Sequence, residues 1–269
     1  MAKESSSPQG ILAAALVAAL VALAVNGGFY FFGRDGGNPS GVNQAQQKDI
    51  EQTIRNYLVQ NPEVLVEMQT VFERRQANAR QEARQTAITE NAADLFRPGD
   101  GLIAGNPAGD VTVVEFFDYN CGYCRRAFKD LAKLIETDKN VRVVLKEFPI
   151  FGEPSEAAAR AAIAAQKQGK YFEMHRALLE TPGRASKEKA LEIAEKLGLD
   201  TDQLQKDMEA AEVDQVIKQT AALAEKMGLE GTPFYLVGDK AIPGAPENLY
   251  DLFVENVAEI RKNGCTATC

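Results

Sequence analysis

The sequence predicts an α/β domain that carries a helical insertion and follows a separate N-terminal helical segment. Three observations predict it. An apolar run, Val111 to Phe117, is followed by a helical pattern over Arg125 to Glu136 and by a second apolar run at Val141 to Phe148, ended by Pro149. That order implies a parallel pair of strands joined by a right-handed crossover. A long block, Ser155 to Gly228, is helical by pattern, and strand texture returns at Thr232 to Val237. Upstream, Asp49 to Glu90 reads as helical but is far more polar toward its end. At 269 residues the chain is long enough for one or two domains with a substantial core. Apolar content of 45% and charged content of 25% exclude a wholly disordered chain. A net charge of -8 disfavours nucleic acid as a partner. Four cysteines are too few for a disulfide-built scaffold.

Each segment has its own justification. Ile11 to Val25 is an unbroken apolar run, and Phe29-Tyr30-Phe31-Phe32 follows it after Asn26-Gly27-Gly28. As a helix, residues 11–32 reach roughly 30 Å, enough to span a bilayer with the aromatic cluster at the far interface. Lys3 and the amino terminus place positive charge on the near side, so residues 1–32 read as a signal anchor that exports the remainder. The alternative is a signal peptide cleaved near Ala24. Either reading puts the cysteines where disulfides persist. Residues 33–48 read as a linker, glycine-rich at Gly33 to Gly41. Residues 49–92 form the helical segment. Ile50, Ile54, Tyr57 and Leu58 share one face, Pro62 interrupts, and Val64, Leu65, Met68, Val71 and Phe72 resume the stripe. Such a pair of helices cannot bury its stripe alone. It packs either on this chain's own main domain or on other copies in a homo-oligomer, a dimer or trimer.

Residues 93–269 make the main domain, with the helical insertion at about 152–228 broken near Gly169, Pro182-Gly183 and Gly198. A turn at Gly238-Asp239, a short strand near Ala241-Ile242 and an amphipathic helix over Pro246 to Lys262 complete it.

The chemistry is concentrated at Cys121-Gly122-Tyr123-Cys124, where a strand passes into a helix. The first sulfur then meets unpaired backbone N–H groups and the positive end of the helix dipole, which favour a thiolate. Cys121 is expected to be exposed and reactive, with a pKa below the free-thiol value. Cys124, one turn in, is expected to be more buried and to resolve a mixed disulfide formed at Cys121. Arg125 and Arg126 add positive charge nearby. A Cys-x-x-Cys is also half of a structural zinc site, but the spacing of Cys265/Cys269 and the strand–helix context argue against that use. No metal and no cofactor are expected. The lone His175, beside Tyr171, Phe172 and Leu178, reads as a packing residue rather than a ligand or base. Pro233 in Gly231-Thr232-Pro233 either follows a cis bond that presents the Thr232 backbone to a client or simply opens a strand.

These segments together resemble a known family. Glu-Phe-Phe-Asp-Tyr-Asn-Cys-Gly-Tyr-Cys-Arg-Arg at 115–126, Lys-Glu-Phe-Pro-Ile at 146–150, the helical insertion and Gly-Thr-Pro-Phe at 231–234 are similar to the DsbA-type thioredoxin-fold oxidoreductases. The resemblance spans roughly Leu95 to Lys262. It implies a thioredoxin fold with an inserted helical subdomain, with Cys121 as nucleophile, Cys124 as resolving thiol and Thr232-Pro233 as the cis-proline loop. It also implies that Glu115 and Lys146 lie beneath the redox-active pair and tune its pKa. The export signal and the N-terminal helices resemble the ScsC/Com1-like subgroup, whose members use those helices to oligomerise and act in disulfide isomerisation or copper tolerance. Two departures stand out. Gly122-Tyr123 replaces the Pro-His dipeptide of strongly oxidising members, which removes one stabiliser of the thiolate. Cys265/Cys269 lies outside the shared pattern and reads as a second disulfide in the tail.

The functional expectation is an exported, periplasmic thiol–disulfide oxidoreductase, a protein disulfide isomerase acting on cysteine-containing client proteins and served by a membrane redox partner. A DsbA-like oxidase is the alternative within the class. A Cu(I)-binding thiol protein is the alternative outside it, although no Met-rich or His-rich tract accompanies the cysteines.

Overall fold

The computed structural model describes residues 43–96 and 102–265; the expected membrane segment at 11–32, most of the linker and Cys269 lie outside these residues. No helix among the described residues is long and apolar enough to cross a membrane. The chain divides into two compact units, residues 1–73 and 74–269.

The described part of the first unit is helical. Helix α1 (Gln44–Gln60) starts four residues before the expected end of the linker, because Asn43 and Gln46 form a reciprocal capping box. Asn61-Pro62 separates it from α2 (Glu63–Glu90). The apolar stripe is present on these helices. Ile50, Ile54, Leu58, Leu65, Met68 and Phe72 are 41–69% exposed.

The second unit begins inside α2, at Arg74, and not near residue 93 as the change of sequence texture suggested. The reason lies in the late part of α2 and in the short α3 (Ala92–Phe96). Ile88, Leu95 and Phe96 are at most 1% exposed and sit in a core cluster with sheet residues Val114, Phe116 and Val144. The tail of the polar helix is therefore part of the catalytic unit's own core.

The sheet has five strands in the order β1-β3-β2-β4-β5: β1 (Ile103–Gly105), β2 (Val111–Phe117), β3 (Val141–Glu147), β4 (Phe234–Val237) and β5 (Lys240–Pro243). The β2–β3 pair is parallel and the other pairs are antiparallel. Helix α4 (Gly122–Thr137) makes the crossover between β2 and β3 and buries Ala127, Phe128, Leu131 and Leu134. The insertion holds α5 (Glu153–Ala165), α6 (Tyr171–Glu180), α7 (Lys187–Lys196), α8 (Thr201–Met208) and α9 (Ala211–Lys226), and α10 (Leu249–Asn263) closes the fold. Every residue of β2 is buried, so both sheet faces are covered. Val113, Phe117, Val143 and Leu145 face α4, α10 and the insertion. Val114, Phe116, Val144 and Leu236 face the late part of α2, α3 and the end of α9, through Ile88, Phe96, Leu223 and Met227.

The tail ends beside the β4–β5 turn. A Cβ on Gly238, which has φ +54°, would come within 2.6 Å of Cys265 Sγ. Gly238 N–H donates to Thr112 O near the start of β2, whereas Cys121 follows the other end of that strand. Cys265 is disulfide-bonded and thus sits at the end of the sheet remote from Cys121.

One shortened chain and one substitution test the boundary. A chain beginning at Arg74 should keep a cooperative thermal transition. In the full chain, Ile88→Ala should cost about 2–5 kcal/mol in chemical denaturation, the usual range for such core truncations.

Candidate active site

Strand β2 delivers Asp118-Tyr119-Asn120 into a loop, and Cys121 is the N-cap of α4 with extended backbone (φ −75°, ψ 115°). Cys121 and Cys124 are both free thiols here. Contrary to the expectation of an exposed nucleophile, Cys121 is only 2% exposed. The Thr232-Pro233 loop covers it: the bond is cis, and the Cys121 thiol donates to Thr232 O at 3.2 Å. The Thr232 hydroxyl is buried with no other partner and so can turn to serve a thiolate.

The local field strongly favours that thiolate. A hydrogen bond from the Cys124 thiol, aided by Thr232 and by the backbone N–H groups of Cys124 and Tyr123, lowers the Cys121 pKa to about 5 against the opposing effect of burial. Cys124 is displaced the other way, chiefly because burial disfavours its charged form. One sulfur is therefore ionised at neutral pH while its neighbour keeps the proton that stabilises it.

Beneath the pair lie buried acids. Glu115 is fully buried, accepts a hydrogen bond from Tyr235 Oη at 2.8 Å and leaves its second oxygen unpartnered. Burial raises its pKa to about 8, against the lowering effect of Tyr235, and its charge acts on both cysteines. Lys146, expected beside it, is placed differently. The parallel register sets Phe116 opposite Lys146 and Phe117 opposite Glu147, so Lys146 shares a face with Phe116, away from Glu115. The residue that shares the face of Glu115 is Glu147, also fully buried and held protonated by burial. Glu147 Oε1 accepts from Tyr119 Oη at 2.7 Å and Tyr171 Oη at 3.0 Å. With Tyr119's proton donated to Glu147, His175 Nδ1 is the donor in its 3.2 Å contact with Tyr119 Oη. His175 is fully buried among Phe117, Tyr119, Phe128 and Phe172, its Nε2 has no partner, and burial lowers its pKa to about 3. It is a neutral packing residue within a buried polar chain.

Asp118 and Asn120, which the sequence reading passed over, hold the loop in place together with Arg125, which was expected only to add positive charge. Asp118 accepts from Asn120 N–H, Ser155 Oγ, Ile150 N–H and Phe151 N–H. Asn120 pairs with Ala185 through both its backbone groups. Arg125 is spent on the carbonyls of Tyr119, Leu178 and Thr181, pinning α4 to the insertion. Arg126 donates to Ala245 O and lies 4.8 Å over the exposed Tyr123 ring. Short polar side chains in a loop were the available signal, but most of their partners lie 30 or more residues away.

Beside the pair, a cavity of about 590 Å³ opens between Tyr123, the Thr232 to Phe234 segment and the late part of α2. Among the described residues, no group of three or more His, Cys, Asp or Glu is placed to hold a metal ion. Chemically, the arrangement suits thiol–disulfide exchange: a preformed thiolate, a protonated partner one turn away and a backbone ledge for an extended client.

A thioredoxin-fold sheet with an inserted helical layer and this dithiol defines the class, and comparison with known proteins agrees. Residues 112–252 match the family described as DSBA-like thioredoxin domain, and the chain belongs to it. Residues 46–79 match the family described as Copper resistance protein ScsC N-terminal domain. Among solved structures, a thioredoxin-like oxidoreductase from Silicibacter pomeroyi DSS-3 is 50% identical, covering 64% of this chain and 98% of that one, with a TM-score of 0.61. Proteus mirabilis ScsC in a transitional conformation is 27% identical, covering 81% and 100%, with a TM-score of 0.59. Among curated relatives, a Na(+)/H(+) antiporter NhaA 1 of Salinispora arenicola is 30% identical over 62% of this chain; the chain spans only 26% of that protein's length.

Two measurements check the electrostatics. Alkylation of the reduced protein should modify Cys121 but not Cys124, with a rate that rises through about pH 5. Cys124→Ala should move that midpoint upward, because the Cys124 thiol is the largest stabiliser of the thiolate. Stability should also depend on pH in the disulfide form, where neither active-site thiol titrates. Glu115, raised from 4.5 to about 8, contributes fully below its unfolded value, and this contribution is lost as pH rises through about 8. His175, lowered from 6.5 to about 3, contributes above its unfolded value, and this contribution is lost as pH falls through about 3. Thermal midpoints should therefore fall on both sides, and Glu115→Gln should flatten the alkaline side alone.

Proposed function

We propose that this protein is an exported disulfide isomerase that works as a homo-oligomer assembled through its N-terminal helices, with the Cys121/Cys124 pair as its reacting centre. The observation that carries this reading is the exposed apolar stripe from Ile50 to Phe72. Burying side chains of this size is worth about 1.5–3 kcal/mol each, so leaving six of them in water is a large unrealised stabilisation. Several copies joined there would present several Cys121 sites to one misfolded client, and a second thiolate would act at a raised effective concentration. The match of residues 46–79 to the ScsC N-terminal family supports the same reading. Export rests on the apolar run at 11–25 and on similarity to a periplasmic thioredoxin-like protein from Salmonella enterica serovar Typhimurium.

The reaction follows from the site. The Cys121 thiolate attacks a client disulfide, forming a mixed disulfide and expelling one client thiolate, which takes up a proton. In isomerisation a different client thiolate then attacks the mixed disulfide, restoring Cys121 with no net redox change. In reduction Cys124 attacks the Cys121 sulfur instead, its proton passing to the client thiolate that is expelled, and the pair is left as a disulfide. A membrane redox partner would then return the pair to the dithiol state.

Light scattering and refolding of scrambled ribonuclease, applied to residues 33–269 and to the chain beginning at Arg74, test the proposal. The longer chain should be oligomeric and unscramble efficiently. The shorter one should be monomeric, still reduce insulin and lose most unscrambling. A monomeric longer chain, or equal unscrambling by both, would overturn the isomerase reading in favour of an oxidase. Cys121→Ser should abolish exchange, while Cys124→Ala should accumulate mixed disulfides with clients, seen on non-reducing gels; equal partial loss in both would mark a structural disulfide.

A further inference from the structure

The cavity beside Cys121 has a wall that the chemistry of exchange does not use. It is lined by the Thr232-Pro233-Phe234 segment and by the late part of α2, where Arg80 and Arg84 stand one turn apart with the small Ala83 and Ala87 beside them. The charge of the lining is lopsided. Among the described residues, Arg80, Arg84 and Lys226 share the lining with a single carboxylate, Glu230, in a chain whose net charge is -8. None of the three cations is neutralised: among the described residues, Arg80 bonds only the neutral Gln76, and neither Arg84 nor Lys226 enters an ion pair. Arg84 is the most constrained. Its guanidinium lies 5.4 Å over the Phe234 ring, and its Nε is buried without a hydrogen-bond partner. Phe234 directly follows Pro233, whose loop accepts the Cys121 thiol. Any peptide that offers a disulfide to Cys121 along this loop therefore passes the arginines.

The geometry points to Arg80 and Arg84 as specificity-determining residues that select client segments carrying Asp or Glu within a few residues of the reacting cysteine. This deepens the oxidoreductase reading and rests on it. A carboxylate entering the cavity meets guanidinium groups that form no ion pair among the described residues, and the partly enclosed site screens the attraction less than open water does. The same charges steer acidic segments toward Cys121 and repel basic ones, so the preference acts on the rate of encounter. Arg84 belongs to the catalytic unit, so the preference does not require oligomerisation.

The test uses the full exported chain and two ten-residue peptides, each with one cysteine held as a mixed disulfide with 2-nitro-5-thiobenzoate and flanked by Glu in one and Lys in the other. Attack by the Cys121 thiolate on the peptide sulfur forms the protein–peptide disulfide and releases the coloured thiolate. Both rates are divided by that of a small neutral disulfide, which cancels any change in Cys121 itself. At low salt the Glu peptide should react about tenfold faster than the Lys peptide, and the ratio should shrink toward one in high salt. Arg80→Glu with Arg84→Glu should invert the preference, while Arg84→Lys should largely retain it. Equal normalised rates in the native protein, a ratio insensitive to salt, or a ratio unchanged by the double substitution would overturn the proposal. Failure of Cys121 to react with the small disulfide would instead overturn the oxidoreductase reading beneath it.

Discussion

The constraint on which the site depends is the sharing of one proton between two sulfurs of unequal environment. Cys121, at the start of α4, has backbone N–H groups and the cis-proline loop around it, whereas Cys124 is enclosed within the helix and the core. The hydrogen bond from the second thiol to the first converts that difference of position into a difference of charge. Everything that holds the loop serves this geometry. Asp118 collects four donors, Asn120 binds Ala185 and Arg125 closes on three carbonyls, so the strand-to-helix junction has little freedom to drift. The helical insertion is thereby a brace for the dithiol as much as a cover for the sheet.

The space beneath the pair is buried and acidic, with both carboxyls held toward their neutral forms. Glu115 and Glu147 are buried on the same sheet face, and burial holds both toward their protonated forms. Three tyrosines supply the donors that make such burial tolerable. A second anion placed there would oppose the Cys121 thiolate, so the protonated state of Glu115 and the ionised state of Cys121 support each other. Glu115, rather than Lys146, is the group whose charge acts on Cys124.

Much of this was legible in the sequence because it is local. The β2 run, the Cys-x-x-Cys at its end and the amphipathic pattern of α4 each declare themselves within a dozen residues, and Gly231-Thr232-Pro233 is recognisable once they are in place. What was not legible is set by distance. Register placed Lys146 on the far face, and no property of residues 141–148 fixes the register of a parallel pair. The burial of Cys121 comes from a loop more than 100 residues away. The break between α8 and α9 at Glu209-Ala210 has neither glycine nor proline to mark it. The unit boundary at Arg74 falls inside an uninterrupted helix; the sequence turns more polar there, but only the packing partners show that this polar stretch belongs to the catalytic unit.

The central claim, a preformed Cys121 thiolate that stabilises the dithiol state, is tested most directly by comparing the thermal stability of the reduced and oxidised protein across pH. The disulfide closes a loop of only a few residues and so constrains the unfolded chain little. The reduced form should therefore be the more stable at neutral pH, by a margin that grows as pH rises from about 5 toward the ordinary thiol range and vanishes as pH falls through about 5. A disulfide form that is more stable at every pH, by a constant margin, would contradict the account and make Cys121/Cys124 a structural crosslink.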